Sequence, residues 1–142
     1  FIQRMRFGGR IVYEYKLELD PAVVMIPAFT LQPLVENAII HGISKKERGG
    51  KVYLRAWETE GYVVVSVADT GVGMSPKRYE EICGALRDGA DKGKGMSKAG
   101  IGLGNIYKRI HTMYKNGQVR IYSTEGRGTV IQMWIPREGN GN

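Results

Sequence analysis

A series of strand-like runs, of which the first alternates strictly between apolar and polar residues, constrains the fold more than any other feature of this sequence. Residues 11–19 (IVYEYKLEL) carry apolar side chains at every second position, which is the period of a half-buried β-strand. Further runs typical of strands follow at residues 51–57, 62–69, 118–124 and 129–135. Short turns separate these runs in two places, so the pattern predicts hairpins and a largely antiparallel sheet.

Three segments between the strands have the spacing of helices. Residues 28–43 and 101–115 repeat apolar side chains every three or four positions, and Ser75 before Pro76 predicts a capped helix over 76–86. The stripe of the last helix consists of Leu103, Ile106, Tyr107, Ile110, Met113 and Tyr114. The order β-α-β-β-α-loop-α-β-β predicts an α/β two-layer sandwich, in which helices cover the apolar face of the sheet.

Composition excludes several classes of protein. The 142 residues are 42% hydrophobic and 25% charged, which is typical of one soluble globular domain. Cys83 is the only cysteine, so neither an internal disulfide nor a cysteine-based zinc site is possible. The sequence has neither a run of 18 apolar residues nor a signal peptide. The 20 glycines are roughly twice the average usage, which favours turns and ligand loops.

Positive charge is concentrated in one part of the chain. The net charge is +7, and residues 98–127 hold six Lys or Arg against a single acid, Glu125. This bias favours an anionic partner such as nucleotide phosphates, nucleic acid or an acidic protein. A solvated basic face explains the same charge, so composition alone leaves the partner open.

A carboxylate and two glycines follow one predicted strand in Asp69-Thr-Gly-Val-Gly73. The carboxylate can accept a hydrogen bond from the exocyclic amine of adenine, and glycines let a flat ring approach the backbone. Guanine presents an oxygen at that position, and two facing acceptors would cost on the order of 1–3 kcal/mol. An ordinary Asp-Gly turn is the alternative interpretation.

A second glycine-rich segment, Gly100-Ile-Gly-Leu-Gly104, opens the predicted helix 101–115. Free amides and the helix dipole make such a position an anion site. Asn105 replaces the third glycine of a dinucleotide fingerprint, and no Walker A sequence occurs. The alternative is a flexible segment that leads into the helix.

Two polar residues interrupt the apolar helix 28–43. The side-chain oxygen of Asn37 suits Mg²⁺, which often takes only one or two protein ligands when it is bound to a nucleotide. His41 lies about 40° from Asn37 around the helix, although a partly exposed histidine is the simpler interpretation. The segment Glu125-Gly-Arg-Gly-Thr129 is either a plain hairpin turn or a loop that places Thr129 beside a base.

In this order and spacing, the motifs resemble those of the GHKL superfamily, which includes gyrase-type topoisomerases, the ninety-kilodalton heat-shock chaperones, histidine kinases and mismatch-repair ATPases. LQPLVENAIIHG (31–42) resembles the N box, DTGVGM (69–74) the first glycine box, GIGLGN (100–105) the second and GRGT (126–129) the last. The motif sequences are most similar to those of sensor histidine kinases of the YesM type. The segment FIQRMRFGGR, before the first predicted strand, also resembles that type.

The resemblance implies a Bergerat fold, with a mixed, mostly antiparallel sheet covered on one face by about three helices. It implies Asn37 as the Mg²⁺ ligand, Asp69 on the adenine amine and Thr129 reaching the base through water. The ATP-binding residues that it implies are Asn37, His41, Asp69, Gly71, Gly73, Met74, Lys98, Gly100, Ile101, Gly102, Leu103, Gly104 and Thr129.

The resemblance also divides the chain. Residues 1–10 would be the end of a linker from a dimerisation and phospho-acceptor domain, and 11–137 the catalytic domain. Residues 75–99 would form its ATP lid, and 138–142 a tail. Because the chain opens in mid-pattern at Phe1, we expect it to be a fragment of a longer protein.

One departure from the superfamily bears on mechanism. Hydrolysing members carry a water-activating Glu one turn before the Mg²⁺-binding Asn, where this chain has Pro33. Glu36 is the remaining candidate base, but it lies about 100° from Asn37 around the helix. The absence of a well-placed base suits a kinase that uses ATP and Mg²⁺. The acceptor histidine would lie on another domain, because neither His41 nor His111 matches the acceptor motif.

The implied function is transfer of the ATP γ-phosphate to that histidine, with a response regulator as the downstream partner. The parent would be a membrane-anchored sensor with this domain in the cytoplasm, touching neither nucleic acid nor membrane. Two alternatives stay open: a GHKL ATPase that uses hydrolysis as a conformational clamp, and a basic nucleic-acid-binding module. Pro33 disfavours the first, and the lack of a nucleic-acid motif disfavours the second.

Overall fold

The computed structural model describes residues 2–7, 11–18, 35, 38–39, 43, 49–87 and 98–137. These contain six strands and two helices. In chain order they are β1 (Ile2–Phe7), β2 (Ile11–Glu18), β3 (Gly50–Thr59), β4 (Tyr62–Asp69), α1 (Pro76–Arg87), α2 (Lys98–Met113), β5 (Gln118–Thr124) and β6 (Gly128–Pro136).

The six strands form one mixed sheet in the order β1-β2-β3-β4-β6-β5. The pair β2–β3 is parallel, and the other four neighbouring pairs are antiparallel. A parallel pair needs a crossover connection, and residues 19–49 supply it. The predicted helix 28–43 falls in this connection and lies largely outside the described residues. The predicted α/β class and mostly antiparallel sheet are confirmed.

The core lies between α2 and the inner face of the sheet. Leu103, Ile106 and Ile110 are each at most 1% exposed, and burial of each such side chain contributes about 1.5–3 kcal/mol. Across the sheet, Val65 pairs with Met133 and Val67 with Ile131, and all four belong to the same core cluster. Helical spacing on α2 and strand spacing on the sheet therefore meet in one apolar layer.

Two differences from the sequence predictions concern element ends. The helix predicted over 101–115 ends at Met113, followed by Asn116 in a left-handed conformation (φ 65°). Met113 is consequently 44% exposed rather than part of the buried stripe. Residues 2–7, predicted as linker, form an edge strand that pairs with β2. Charged residues between the apolar ones obscure the strand pattern here, and the domain boundary at residue 10 stays a prediction.

A cap and a tyrosine fix α1 on the sheet. The Ser75 hydroxyl accepts the Arg78 N–H (3.2 Å), which is the predicted N-cap bond. The Tyr79 hydroxyl donates to the Ile121 carbonyl oxygen (2.6 Å) on edge strand β5. Burial raises the pKa of Tyr79 above its ordinary value, with smaller contributions from Cys83 and Tyr122. The hydroxyl therefore stays protonated and keeps donating.

We expect Tyr79→Phe to lower the free energy of unfolding by about 1 kcal/mol, because the Ile121 carbonyl loses its donor. The raised pKa means that wild-type stability falls as the pH rises past about 10, where the unfolded tyrosine ionises first. The variant lacks this part of the pH dependence. Urea unfolding at neutral and alkaline pH measures both effects. The control, Tyr122→Phe, removes the hydroxyl of a side chain that is 49% exposed, and an equal loss there would contradict the expectation.

Candidate nucleotide-binding site

Two residues from separate motifs face each other where β4 ends and β6 begins. Asp69 ends β4 and is the register partner of Thr129 near the start of β6. Directly paired residues on antiparallel strands have Cβ atoms about 4.5–5.5 Å apart. Each is only 7% exposed. The sheet therefore brings the first and last glycine boxes together, as the sequence interpretation requires.

The carboxylate of Asp69 is oriented by the loop that follows it. Its Oδ1 accepts the Gly71 N–H at 2.8 Å, and Gly71 is itself buried. A buried carboxylate is tolerated only with such donors, and it offers about four acceptor positions in all. Asp69 therefore has the acceptor chemistry that recognition of an amine requires.

Close backbone contacts hold the first glycine box against the β5–β6 hairpin. Gly73 has a left-handed conformation (φ 66°), and an added Cβ would overlap the Thr124 carbonyl oxygen. At Gly128 (φ 129°), a Cβ would overlap the Asp69 carbonyl oxygen. The Gly126 N–H also donates to the Val72 carbonyl oxygen at 2.7 Å. Glycine is needed at 73 and 128 because backbone packs on backbone there.

Two hydroxyl residues that the motif analysis did not single out fasten the same loop. The Thr70 hydroxyl accepts the Lys51 N–H (2.9 Å), and the Thr70 N–H donates to the Lys51 carbonyl oxygen (3.1 Å), which ties the loop to β3. On the other side, the Ser123 hydroxyl accepts the Met74 N–H (2.9 Å). These contacts join residues distant in the chain, so only an alignment of the strands in register could have revealed them.

The second glycine box is helical in this structure. Helix α2 begins at Lys98 rather than at 101, so the segment Gly100–Gly104 belongs to its first turns. Leu103 is completely buried in the core. Only the first amides of a helix lack partners within it, so an anion bound at this helix start would use those amides and not that of Gly104. The predicted phosphate contacts of Lys98, Gly100, Ile101, Gly102, Leu103 and Gly104 stay predictions.

Several predicted site residues lie outside the described part of the chain. These are Glu36, Asn37, His41 and residues 88–97 of the predicted lid. Among the residues that the structure does describe, no group of three or more His, Cys, Asp or Glu could hold a metal ion. The Mg²⁺ site on Asn37 stays a prediction.

A cleft of about 620 Å³ lies beside the box, between the start of α1 and the β5–β6 turn. Met74, Tyr79 and Ser123 line it together with Glu80 and Glu125. Neither Asp69 nor Thr129 does. Two glutamates disfavour a triphosphate, so this cleft does not suit the phosphates of a nucleotide.

Comparison with known proteins identifies the family. The model for the histidine kinase-, DNA gyrase B- and HSP90-like ATPases matches residues 27–139. The chain belongs to this family. Membership implies that it binds ATP.

Sensor histidine kinases are among the curated relatives. The chain is 33% identical over 137 residues to the sensor histidine kinase YpdA of Escherichia coli (strain K12), and 32% identical over 136 residues to the sensor histidine kinase YesM of Bacillus subtilis (strain 168). These alignments cover 96% and 95% of this chain but 22% and 21% of the relatives. The chain thus spans about a fifth of the length of those relatives.

Solved structures confirm the fold. The catalytic domain of the histidine kinase ThkA aligns with a TM-score of 0.61 at 19% identity, over 90% of this chain and 80% of that one. The histidine kinase domain of a blue-light activated kinase from Erythrobacter litoralis EL346 aligns with a TM-score of 0.55 at 20% identity, over 91% and 56% of the two chains.

We expect Gly73→Ala to weaken ATP binding at least tenfold and to lower thermal stability. A left-handed alanine costs about 1–2 kcal/mol, and the overlap with the Thr124 carbonyl oxygen pushes the loop away from β5. The matched control is Gly61→Ala in the β3–β4 turn, which is also left-handed (φ 93°) but has open space around the added Cβ. Calorimetric titration and thermal melts should show a smaller stability loss and unchanged ATP affinity for the control.

Proposed function

We propose that this chain is the ATP-binding catalytic domain of a sensor histidine kinase and transfers the γ-phosphate of ATP to a histidine on a separate dimerisation domain. The observation that carries the proposal is the buried Asp69–Thr129 pair, which lies where β4 ends and β6 begins. Close backbone contacts at Gly73 and Gly128 hold the neighbouring loop and hairpin together. Family membership and the sensor kinases among the relatives support it.

Recognition of adenine is assigned to Asp69. Its carboxylate accepts from the C6 amino group, while Gly71, Gly73 and Met74 lie beneath the ring. A guanine would set its C6 oxygen against the same carboxylate, and two facing acceptors destabilise the complex. His41 and Thr129 complete the contacts to the nucleotide in this proposal.

Phosphate binding and transfer rest on positioning and charge. Asn37 would hold Mg²⁺, which neutralises charge on the phosphates, and the start of α2 offers free amides and a favourable dipole. Lys98, at the first position of α2, would contact a phosphate. Transfer needs a positioned acceptor histidine more than a base in this domain, so Pro33 in place of a water-activating glutamate suits a kinase. Glu36 is the residue of this chain that could assist.

The remaining partners follow from the kinase assignment. The acceptor histidine and the dimer contacts would belong to another domain of the same parent, with a response regulator acting downstream. We further propose that the parent is a membrane-anchored sensor and that this domain works in the cytoplasm without nucleic acid. Within the described residues, neither helix combines the length and the apolar character that a bilayer crossing requires.

We expect Asp69→Asn to abolish measurable ATP binding, because the amide presents a donor or a weaker acceptor to the C6 amino group. Calorimetric titration of the wild type should show strong preference for ATP over GTP. Glu60→Gln is the matched control, since Glu60 is an exposed acid in the β3–β4 turn. Equal wild-type affinities for ATP and GTP, or an unaffected Asp69→Asn variant, would refute the adenine assignment.

Removal of Mg²⁺ with EDTA should weaken ATP affinity in the wild type but have little further effect in Asn37→Ala.

Incubation with γ-labelled ATP should leave this chain unlabelled, and label should pass to an added dimerisation domain that carries the acceptor histidine. Rapid, sustained ATP hydrolysis by the chain alone would instead identify a conformational-clamp ATPase.

A further inference from the structure

Ser123 joins the first glycine box to the last one. Its hydroxyl accepts the Met74 N–H (2.9 Å) at the end of the first box. The same hydroxyl donates to the Gly128 carbonyl oxygen (3.1 Å) and lies 2.9 Å from the Thr129 hydroxyl oxygen. Three polar groups from two motifs therefore converge on one half-buried side chain.

Either hydroxyl could be the donor in the Ser123–Thr129 contact, and the bond from Ser123 to the Gly128 carbonyl favours one direction. A serine hydroxyl has one hydrogen to donate and two lone pairs that accept. With the hydrogen directed to Gly128, one lone pair accepts from Met74 and the other faces Thr129. Thr129 is then the donor in its bond to Ser123, and every hydrogen-bonding capacity of the serine is used.

We propose that Ser123 is a positioning residue that sets the Thr129 hydroxyl as a hydrogen-bond acceptor toward the base of the nucleotide. With its hydrogen held by Ser123, Thr129 presents lone pairs. The ionised carboxylate of its register partner Asp69 can also only accept hydrogen bonds. The two residues therefore present hydrogen-bond acceptors and no donor to the base. This inference rests on the proposed function, because it requires adenine to bind at this pair.

A pair of hydrogen-bond acceptors distinguishes purines by the substituent at C6. An amino group there donates a hydrogen bond to these acceptors directly, or through a water that donates to Thr129. Inosine triphosphate (ITP) carries an oxygen at C6 and meets acceptors instead. If Ser123 were absent, the Thr129 hydroxyl could rotate and donate to that oxygen, so the preference for ATP over ITP would decrease.

The test measures dissociation constants for ATP and ITP by calorimetric titration of the whole chain. For Ser123→Ala we expect the ratio of the ITP constant to the ATP constant to fall about tenfold relative to wild type. Ser123→Thr keeps the hydroxyl and should retain the wild-type ratio. A purely structural role would weaken both nucleotides by the same factor, so an unchanged ratio in Ser123→Ala overturns the proposal.

A double-mutant cycle isolates the pair. Thr129→Val removes the hydroxyl while keeping the branched shape, and in that background Ser123→Ala should leave the ratio unaltered. A further drop in the double variant would contradict transmission through Thr129. If thermal melts show that Ser123→Ala does not fold, Ser123→Cys replaces it, because the thiol is a weak donor and acceptor. The ratio of the ITP constant to the ATP constant should then fall in Ser123→Cys.

The same titrations separate this inference from the function on which it rests. A wild-type chain that does not bind ATP would refute the proposed function and the inference together. A wild type that prefers ATP, with the preference intact in Ser123→Ala, refutes only the role of Ser123.

Discussion

The structure of the site depends on a close approach between two pieces of backbone. The loop that follows β4 packs against the β5–β6 hairpin so tightly that a Cβ fits at neither Gly73 nor Gly128. Such an approach excludes side chains and water from the contact, and the Gly126–Val72 hydrogen bond closes it. A loop fastened in this way is preorganised, and less ordering has to be supplied when a ligand binds.

Sheet register converts this contact into a recognition site. Antiparallel pairing of β4 with β6 sets Asp69 opposite Thr129, and the apolar layer below, from Val67 and Ile131 onward, keeps the register from slipping because a one-residue shift would turn every core residue outward. Burial of the Asp69 carboxylate opposes stability, and its bond to Gly71 offsets part of that cost. A fold alone has little use for such a group, which favours a role in binding.

Local patterns predicted most elements, and long-range pairing explains what they missed. Alternation and other strand-like runs located β2 to β6 within a few residues, and the motifs singled out Asp69, Gly73 and Thr129 because each box is contiguous in sequence. Ser123 and Thr70 act on residues 49 and 19 positions away, so their roles emerge only from the register. Residues 2–7 lack a clear alternation, and their strand is defined by pairing with β2.

The second glycine box shows local propensity and tertiary packing in competition. Glycine destabilises a helix interior by about 1 kcal/mol relative to alanine, so the three glycines at 100, 102 and 104 oppose helix formation there, although the sequence interpretation already placed a helix start at 101. From Leu103 onward, however, buried side chains anchor α2 to the sheet, and the helix extends back from that anchor to Lys98. The two ends of the box therefore differ physically. Only its first amides lack partners within the helix, whereas the Gly104 N–H could bind an anion only if the turns before Leu103 unwound.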